Sequence, residues 1–382
     1  MTTATQPEMQ QRESLKTAKH QAWWHIALEI LLITALGILS LEGLFRVCGV
    51  GGSEFLEPDA VLGCHQLAGK QVTWRLEGYS NDRLSLAGRR DILHSLAKPA
   101  GVKRIAVLGD SATEGLQVPL TDTYCRVLDH LLNTNSKPAP FEVLNFGCSS
   151  YSTGQQVLQF EKDVTAYKPD ITVLLYVRGA ALQNCYNPYK RAAEPRPYFY
   201  MDNKGALQQD NSILIEQATG LKPHAVLDFL RRHSRIYGVF SQANLALSIH
   251  EKLYNKMRGW TTSLASKFQP KAASRSTRLF YPQQDVWPVT KALLHRLNKD
   301  CQAAGSPLIV MIFPNTIGDP ILAVQIADLN SFSKQEGFGL LDLTPAFKAN
   351  KDPSSLFLQY HFSSAGHKLT AEQLAAFLAI RT

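Results

Sequence analysis

The apolar positions of the chain fall into two regimes. Near the amino end, Trp23–Phe45 (WWHIALEILLITALGILSLEGLF) is apolar almost without a break, and the polar Met1–His20 before it carries Arg12, Lys16 and Lys19. That run is about the length a helix needs to cross a bilayer core. Trp23 and Trp24 suit the headgroup region, and the upstream cations suit the cytoplasmic side. Glu29 and Glu42 are costly in such a span, but each lies nearer an end than the middle. No small-x-small cleavage site follows at the distance a leader would place it, and Arg46 and Val47 make a poor lipoprotein signal before Cys48. The pattern predicts residues 1–22 as a cytoplasmic tail and 23–45 as a transmembrane anchor. The rest of the chain is then expected outside the cytoplasmic membrane, on its periplasmic or extracellular side.

From residue 101 onward, short apolar runs closed by small residues alternate with amphipathic stretches. Ile105–Leu108, Glu142–Phe146, Asp170–Val177, Pro307–Phe313 and Gly339–Leu343 read as strands, most of them without the polar alternation of a half-solvated sheet. Asp122–Leu132, Thr153–Tyr167 with Thr153 as N-cap, Val286–Ala304, Ile321–Gln335 and Ser364–Ile380 read as the helices between and after them. Strands alternating with helices of this length predict an α/β domain, 101–382, with a parallel sheet and right-handed crossovers. Residues 46–100, rich in Gly and Pro, read as a stalk and lead-in loop, within which Leu84–Asp91 is a turn with paired Arg89 and Arg90, read first as solvated and alternatively as placing an Arg against the sheet edge. An insertion at about 183–284 interrupts the alternation and includes a predicted helical stretch, Pro223–Arg258.

Composition and charge adjust this picture only locally. The formal net charge is +8, and much of the excess lies between Lys222 and Arg278, where eleven Lys/Arg face two acids, Asp228 and Glu251. Such a run is either a solvated face or a contact for an anionic lipid or polysaccharide; nucleic acid is not an expected partner outside the cytoplasm. The six cysteines show no metal-ligand spacing, and Cys48–Cys64 is the only candidate bridging pair. No metal or organic cofactor is implied.

The candidate chemistry lies at the strand ends. Gly109-Asp110-Ser111 closes the first strand of the α/β domain, where an open α/β sheet places its site. A Ser/Asp turn that merely caps a helix has the same letters. Small residues also end the second strand, at Gly147-Cys148-Ser149-Ser150, and His361 precedes the closing helix. Ser111 is the candidate nucleophile and His361 the candidate base, to be joined in space rather than in sequence. The backbone N–H groups of Ser111 and Gly147 are candidate oxyanion donors, and Asp110 is a supporting residue of the turn. His367 is expected to be structural.

In these residues the chain resembles the SGNH/GDSL hydrolase superfamily, and more closely its membrane-anchored bacterial branch. The resemblance rests on the N-terminal span, Gly88 and Arg90, Gly109-Asp110-Ser111 with Thr113 and Gly115, Asn145-x-Gly147 with Tyr151, Ser152 and Thr153, and His361-Phe362-Ser363-x-x-Gly366-His367. It implies a flavodoxin-like three-layer sandwich with about five parallel strands, and hydrolysis of an acyl ester by a Ser111–His361 couple, with Gly147 as second oxyanion donor. Two departures stand out. Ala180 occupies the position of the family's oxyanion-hole Asn, leaving Asn184, one turn on, as the candidate substitute. Leu358 and Gln359 occupy the positions of the acid that orients the His, and the nearest upstream acid, Asp352, is separated from His361 by a Pro and an apolar stretch. A backbone carbonyl or the Gln359 amide is then the expected support for the imidazole. The expected activity is that of a membrane-anchored serine esterase acting on an O-acylated envelope polysaccharide or a lipid. The alternatives are a catalytically degenerate protein that binds or helps assemble such an anionic polymer or lipid, and an O-acyltransferase using the same acyl-enzyme.

Overall fold

The structure, a computed structural model, describes residues 6–51, 55–134, 140–185, 196–215, 229–230, 233–240, 286–315 and 318–380, with side chains from residue 23 onward. Helix α1 (Gln6–Val47) comes first. Its Trp23–Val47 portion is long and apolar enough to cross a membrane, and Trp23, Leu31, Leu36 and Leu39 project away from the rest of the protein. Two antiparallel hairpins follow, β1 (Leu56–Asp59) with β2 (Gly63–Gln66), and β3 (Gln71–Trp74) with β4 (Ser80–Arg83). Then come β5 (Lys103–Gly109), the single-turn α2 (Ser111–Glu114), α3 (Tyr124–Thr134), β6 (Phe141–Gly147), α4 (Thr153–Gln159), β7 (Ile171–Tyr176) and the short α5 (Arg178–Ala181). A third hairpin, β8 (Tyr198–Met201) with β9 (Leu207–Asp210), precedes α6 (Val286–Ala303), β10 (Leu308–Ile312), α7 (Pro320–Glu336), β11 (Gly339–Asp342), α8 (Thr344–Lys348) and α9 (Ser364–Ala379).

Five strands form one parallel sheet in the order β11-β10-β7-β5-β6. Apolar residues lie on both faces of β5 because helices cover both. Ala106 and Leu108 join Phe146, Val157, Leu293 and Leu297 in one core layer, while Ile105 and Val107 join Tyr124, Leu128, Phe362 and Leu374 in the other. The period of two along an extended strand assigns alternate residues to the two layers. The three-layer α/β architecture expected from the sequence is therefore the observed one. The chain leaves β5 toward β6 on one side and returns past it to β7 on the other. The carboxyl end of β5 is thus at the switch of strand order, where such sheets open a crevice.

Several local expectations are corrected. Ser152, not Thr153, caps α4, through a reciprocal capping box with Gln155. Beyond Gln159 that helix widens into a π turn, Phe160–Val164, and ends as a 3-10 turn, Thr165–Tyr167. The segment read as a stalk is folded against the sheet domain, with Phe55, Leu62, Val72 and Leu84 buried. Arg90 is no solvated turn residue, being only 1% exposed. Cys48 and Cys64 are both free thiols. Most of the Pro223–Arg258 stretch and of the basic 222–278 run lies outside the described residues.

Candidate active site

The rim is built around the turn after β5. A Cβ on Gly109 would stand 1.8 Å from Thr113 Oγ1, so the strand can enter α2 directly only with glycine there. Asp110 caps that turn, its carboxylate accepting the Ala112 N–H at 2.9 Å. Burial pushes the Asp110 carboxyl above its ordinary range, against the opposing Ala112 bond. Gly115, at φ 69°, ends the turn in the left-handed region. Beneath it the buried Arg90 donates to the carbonyls of Glu114 at 3.0 Å and Val118 at 2.5 Å, to that of Gly115, and to Asp82. A cation thus closes the carboxyl end of the turn. Asp110 is thus a cap, and the turn it caps presents Ser111, partly exposed, at the sheet's rim.

His361 reaches the same rim from a tight loop between Phe357 and Phe362, which pair as an isolated bridge. The Leu358 N–H donates to the His361 carbonyl at 2.8 Å. Phe362 anchors the loop, fully buried with ring centroids 4.7 Å from Phe313 and 5.4 Å from Phe347. The His361 Nε2 lies 2.8 Å from Ser111 Oγ, although 250 residues separate them in the chain.

The third member is one that sequence reasoning missed. Glu77 Oε2 is 2.7 Å from His361 Nδ1, and Glu77 Oε1 accepts the backbone N–H groups of Tyr360 at 2.5 Å and His361 at 3.0 Å. Burial pushes this carboxyl up, but the hydrogen bonds from His361 and Tyr360 outweigh it and hold Glu77 below its ordinary value. An ionised carboxylate on Nδ1 puts the imidazole proton there and leaves the Nε2 lone pair facing the Ser111 hydroxyl. Glu77 sits in the loop joining β3 to β4, and that loop is fastened to the chain just past α2. The Tyr79 N–H donates to the Gln117 carbonyl at 3.0 Å, and Ser80 Oγ to the Leu116 carbonyl at 2.6 Å. Gly78, at φ 70°, lies so close that a Cβ would stand 2.1 Å from the Gln117 carbonyl oxygen. The one sequence signal was an Glu-Gly turn between two short strand-like runs. Asp352, the nearest upstream acid in sequence, and Asp342 at the end of β11 have other work. Asp352 caps the 3-10 turn Pro353–Leu356, and Asp342 accepts the Thr344 N–H at 2.8 Å.

The expected oxyanion donors fare differently. Among the described residues, no acceptor takes the Ser111 N–H. The Gly147 N–H, by contrast, donates to Asn145 Oδ1 at 2.8 Å inside the core. Gly147 answers a packing need, because a Cβ there would stand 2.3 Å from the Glu114 nitrogen. Farther along the same tip, Glu114 Oε2 accepts the Ser149 N–H at 2.7 Å and the Ser149 hydroxyl, while Gln66 Nε2 donates to Oε1 at 2.6 Å. This fully buried carboxyl, pushed up by burial against those bonds, ties α2 to the β6 tip. Next to it Ser150 is exposed at φ 68°, and its N–H has no acceptor among the described residues. Asn184 is not free to substitute for the absent Asn. It is fully buried, its Oδ1 accepts the Gly154 N–H at 2.8 Å, and its Nδ2 lies 3.4 Å from Thr290 Oγ1. His367 is buried in α9, accepts the Tyr124 N–H at 3.2 Å, and is pushed down to about 3 by burial, with Arg90 and His361 adding to the effect. Among the described residues, no group of three or more His, Cys, Asp or Glu is arranged to hold a metal.

The fold and rim together define a Ser–His–Glu chain at the switch point of a parallel α/β sheet. No family model matches the sequence, and no curated protein does. Among solved structures the chain is similar to TesA, at 10% identity and a TM-score of 0.40, over 73% of this chain and 100% of that one. It is also similar to Axe2, an acetylxylan esterase from Geobacillus stearothermophilus, at 14% identity and a TM-score of 0.39, over 72% of this chain and 94% of that one.

Proposed function

We propose that this protein is a membrane-anchored serine ester hydrolase of the SGNH type, held by α1 with its α/β domain outside the cytoplasmic membrane. The observation that carries the reading is the unbroken chain from Ser111 Oγ through His361 to Glu77, at 2.8 and 2.7 Å. In this reading Ser111 Oγ attacks the acyl carbon while His361 Nε2 takes its proton. The imidazolium, paired with Glu77, then returns the proton to the leaving alcohol, and water repeats the sequence to release the acid. The Ser111 N–H faces the developing oxyanion. The Ser150 N–H is the better second donor than Gly147, because the Gly147 N–H is spent on Asn145. In this reading Glu77 supplies the acid missing from the positions before His361, which answers one of the two sequence departures; Ala180 is the other. An O-acylated envelope polysaccharide or a lipid ester is the substrate class to test first.

The test is labelling of the detergent-solubilised chain with a fluorophosphonate, which needs an activated serine and no knowledge of the substrate. Labelling of the parent that disappears in Ser111→Ala and His361→Ala supports the reading. A folded parent that takes no label overturns it, and a non-catalytic anionic-glycan or lipid binder becomes the reading to assay.

A further inference from the structure

A carboxylate in an apolar span needs a reason, and the structure supplies one for Glu42. Its side chain leaves the surface of α1 and accepts the backbone N–H groups of Arg235 at 2.8 Å and Ile236 at 3.1 Å and the Ser234 hydroxyl at 3.1 Å. Glu42 therefore satisfies the amino end of the helical residues 235–240, as a capping residue does, but from another helix almost two hundred positions away. Arg46, one turn further along α1, pairs with Glu42 at 2.9 Å and donates to the His233 carbonyl at 2.5 Å. Gly51, at φ 69°, closes the joint from the other side, where a Cβ would stand 2.1 Å from the Arg235 carbonyl oxygen. Residues 233–239 are thus clamped to the end of α1 rather than hung from it.

The depth of this clamp can be read from the helix. Trp24 to Glu42 spans about 27 Å at 1.5 Å per residue, against a hydrocarbon core of about 30 Å. With Trp23 and Trp24 at one headgroup region, Glu42 and Arg46 fall at the other. The clamped segment lies at that second boundary, and apolar side chains at its two ends are exposed. Phe229 is 62% exposed, Leu230 39% and Phe240 69%. The Ser234 N–H donates to the Leu230 carbonyl at 2.8 Å and the Phe229 ring centroid is 4.7 Å from that of His233, so these side chains lie within about a turn of the clamp, where Arg46 is also exposed. Exposed aromatic and aliphatic side chains beside Arg46 and Arg235 at this depth match the chemistry of an anionic lipid interface.

We propose that residues 229–230 and 233–240 form a second membrane contact, which inserts Phe229, Leu230 and Phe240 among lipid headgroups and holds the domain in a fixed pose on the bilayer through the Glu42–Arg235–Arg46 clamp. The inference rests on α1 spanning the membrane and is independent of the chemistry at Ser111. An environment-sensitive fluorescent amino acid is placed in turn at 229, 240, Leu36 in mid-span and the exposed Leu86 of the sheet domain. The full chain is reconstituted in phosphatidylcholine–phosphatidylglycerol vesicles doped with shallow or deep nitroxide lipids. Expected are strong shallow quenching at 229 and 240, deep quenching at 36, and none at 86. Emission at 229 and 240 as unquenched as at 86, with 36 quenched, overturns the proposal. Shielding of 229 and 240 from both nitroxide lipid and aqueous iodide also overturns it, in favour of a protein partner such as a second copy. Absence of quenching at 36 overturns the span and the proposal together. In Glu42→Leu, shallow quenching at 240 should fall by at least half while that at 36 stays; unchanged quenching at 240 overturns the clamp.

Discussion

The Ser111 turn and the β3–β4 loop meet at one imidazole, yet they are built on opposite principles. The turn is compressed: Gly109, Asp110, Thr113 and Gly115 within seven residues supply close approach, cap, packing and exit. Its geometry is written in a contiguous stretch. The loop that carries Glu77 has one such constraint, Gly78, and it bears on the brace rather than on the carboxylate. Any carboxylate brought to His361 Nδ1 would do, from any segment that reaches it, and here a hairpin from outside the sheet does so, braced on Leu116 and Gln117. The comparison teaches that a nucleophile, which needs a particular backbone, leaves a local signature. An orienting acid, which needs only a position in space, leaves none.

The sharpest way to break this comparison is at the nucleophile. Ser111→Ala should abolish fluorophosphonate labelling with little change in thermal stability, since Ser111 is partly exposed and, among the described residues, its hydroxyl bonds His361 alone. Glu77→Gln comes next. It keeps the size of the side chain but not the charge on Nδ1, and the rate of labelling or ester hydrolysis should fall roughly 10⁴-fold, as for the Asp of a Ser-His-Asp triad. Asp352→Asn should leave that rate unchanged, because Asp352 caps a turn instead. Equal losses in the two variants would return the orienting role to the segment before His361. Gly78→Ala tests whether the brace matters. The new methyl meets the Gln117 carbonyl at a positive φ, which should cost about 1–3 kcal/mol of stability and, by displacing Glu77, up to about 10² in rate. A drop in melting temperature with no change in rate would show that the loop can shift without moving the carboxylate.

The smallest effect concerns His367, the histidine that takes no part in the relay. Its folded-state pKa of about 3 lies below the ordinary 6.5, so the unfolded chain binds a proton the folded one refuses. Stability is therefore full above about pH 6.5 and falls as pH drops toward 3, at up to about 1.4 kcal/mol per pH unit. Melting temperatures of His367→Gln should decline less steeply than the parent's across that window; parallel curves would show that other groups dominate the acid limb.

The comparison also explains what was legible. The five strands of the sheet and the helices that cover it were readable to within a few residues, because burial on both faces removes polar residues from a strand and leaves an uninterrupted apolar run. Ser152 and Thr153 were confusable because both are good capping residues; only the reciprocal bond with Gln155 decides between them. Gly147 was legible as a required glycine but not as to why. The close approach of Glu114 and the acceptor at Asn145, neither visible in one strand's sequence, turn its N–H inward. Asn184 failed as a stand-in for the same reason, its amide being committed to the start of α4.

By itself the sequence determined the apolar N-terminal helix, the layered α/β sheet and the residues that form its Ser–His rim, because each depends on periodicity or on neighbours a few positions away. Only the tertiary structure decided that Glu77 completes the rim, that Arg90 closes the nucleophile turn from beneath, and that Glu42 of α1 clamps residues 233–239. These are contacts between charged groups and distant backbone. A charge selects its partner by the geometry of a buried site, and that geometry exists only once the chain has folded.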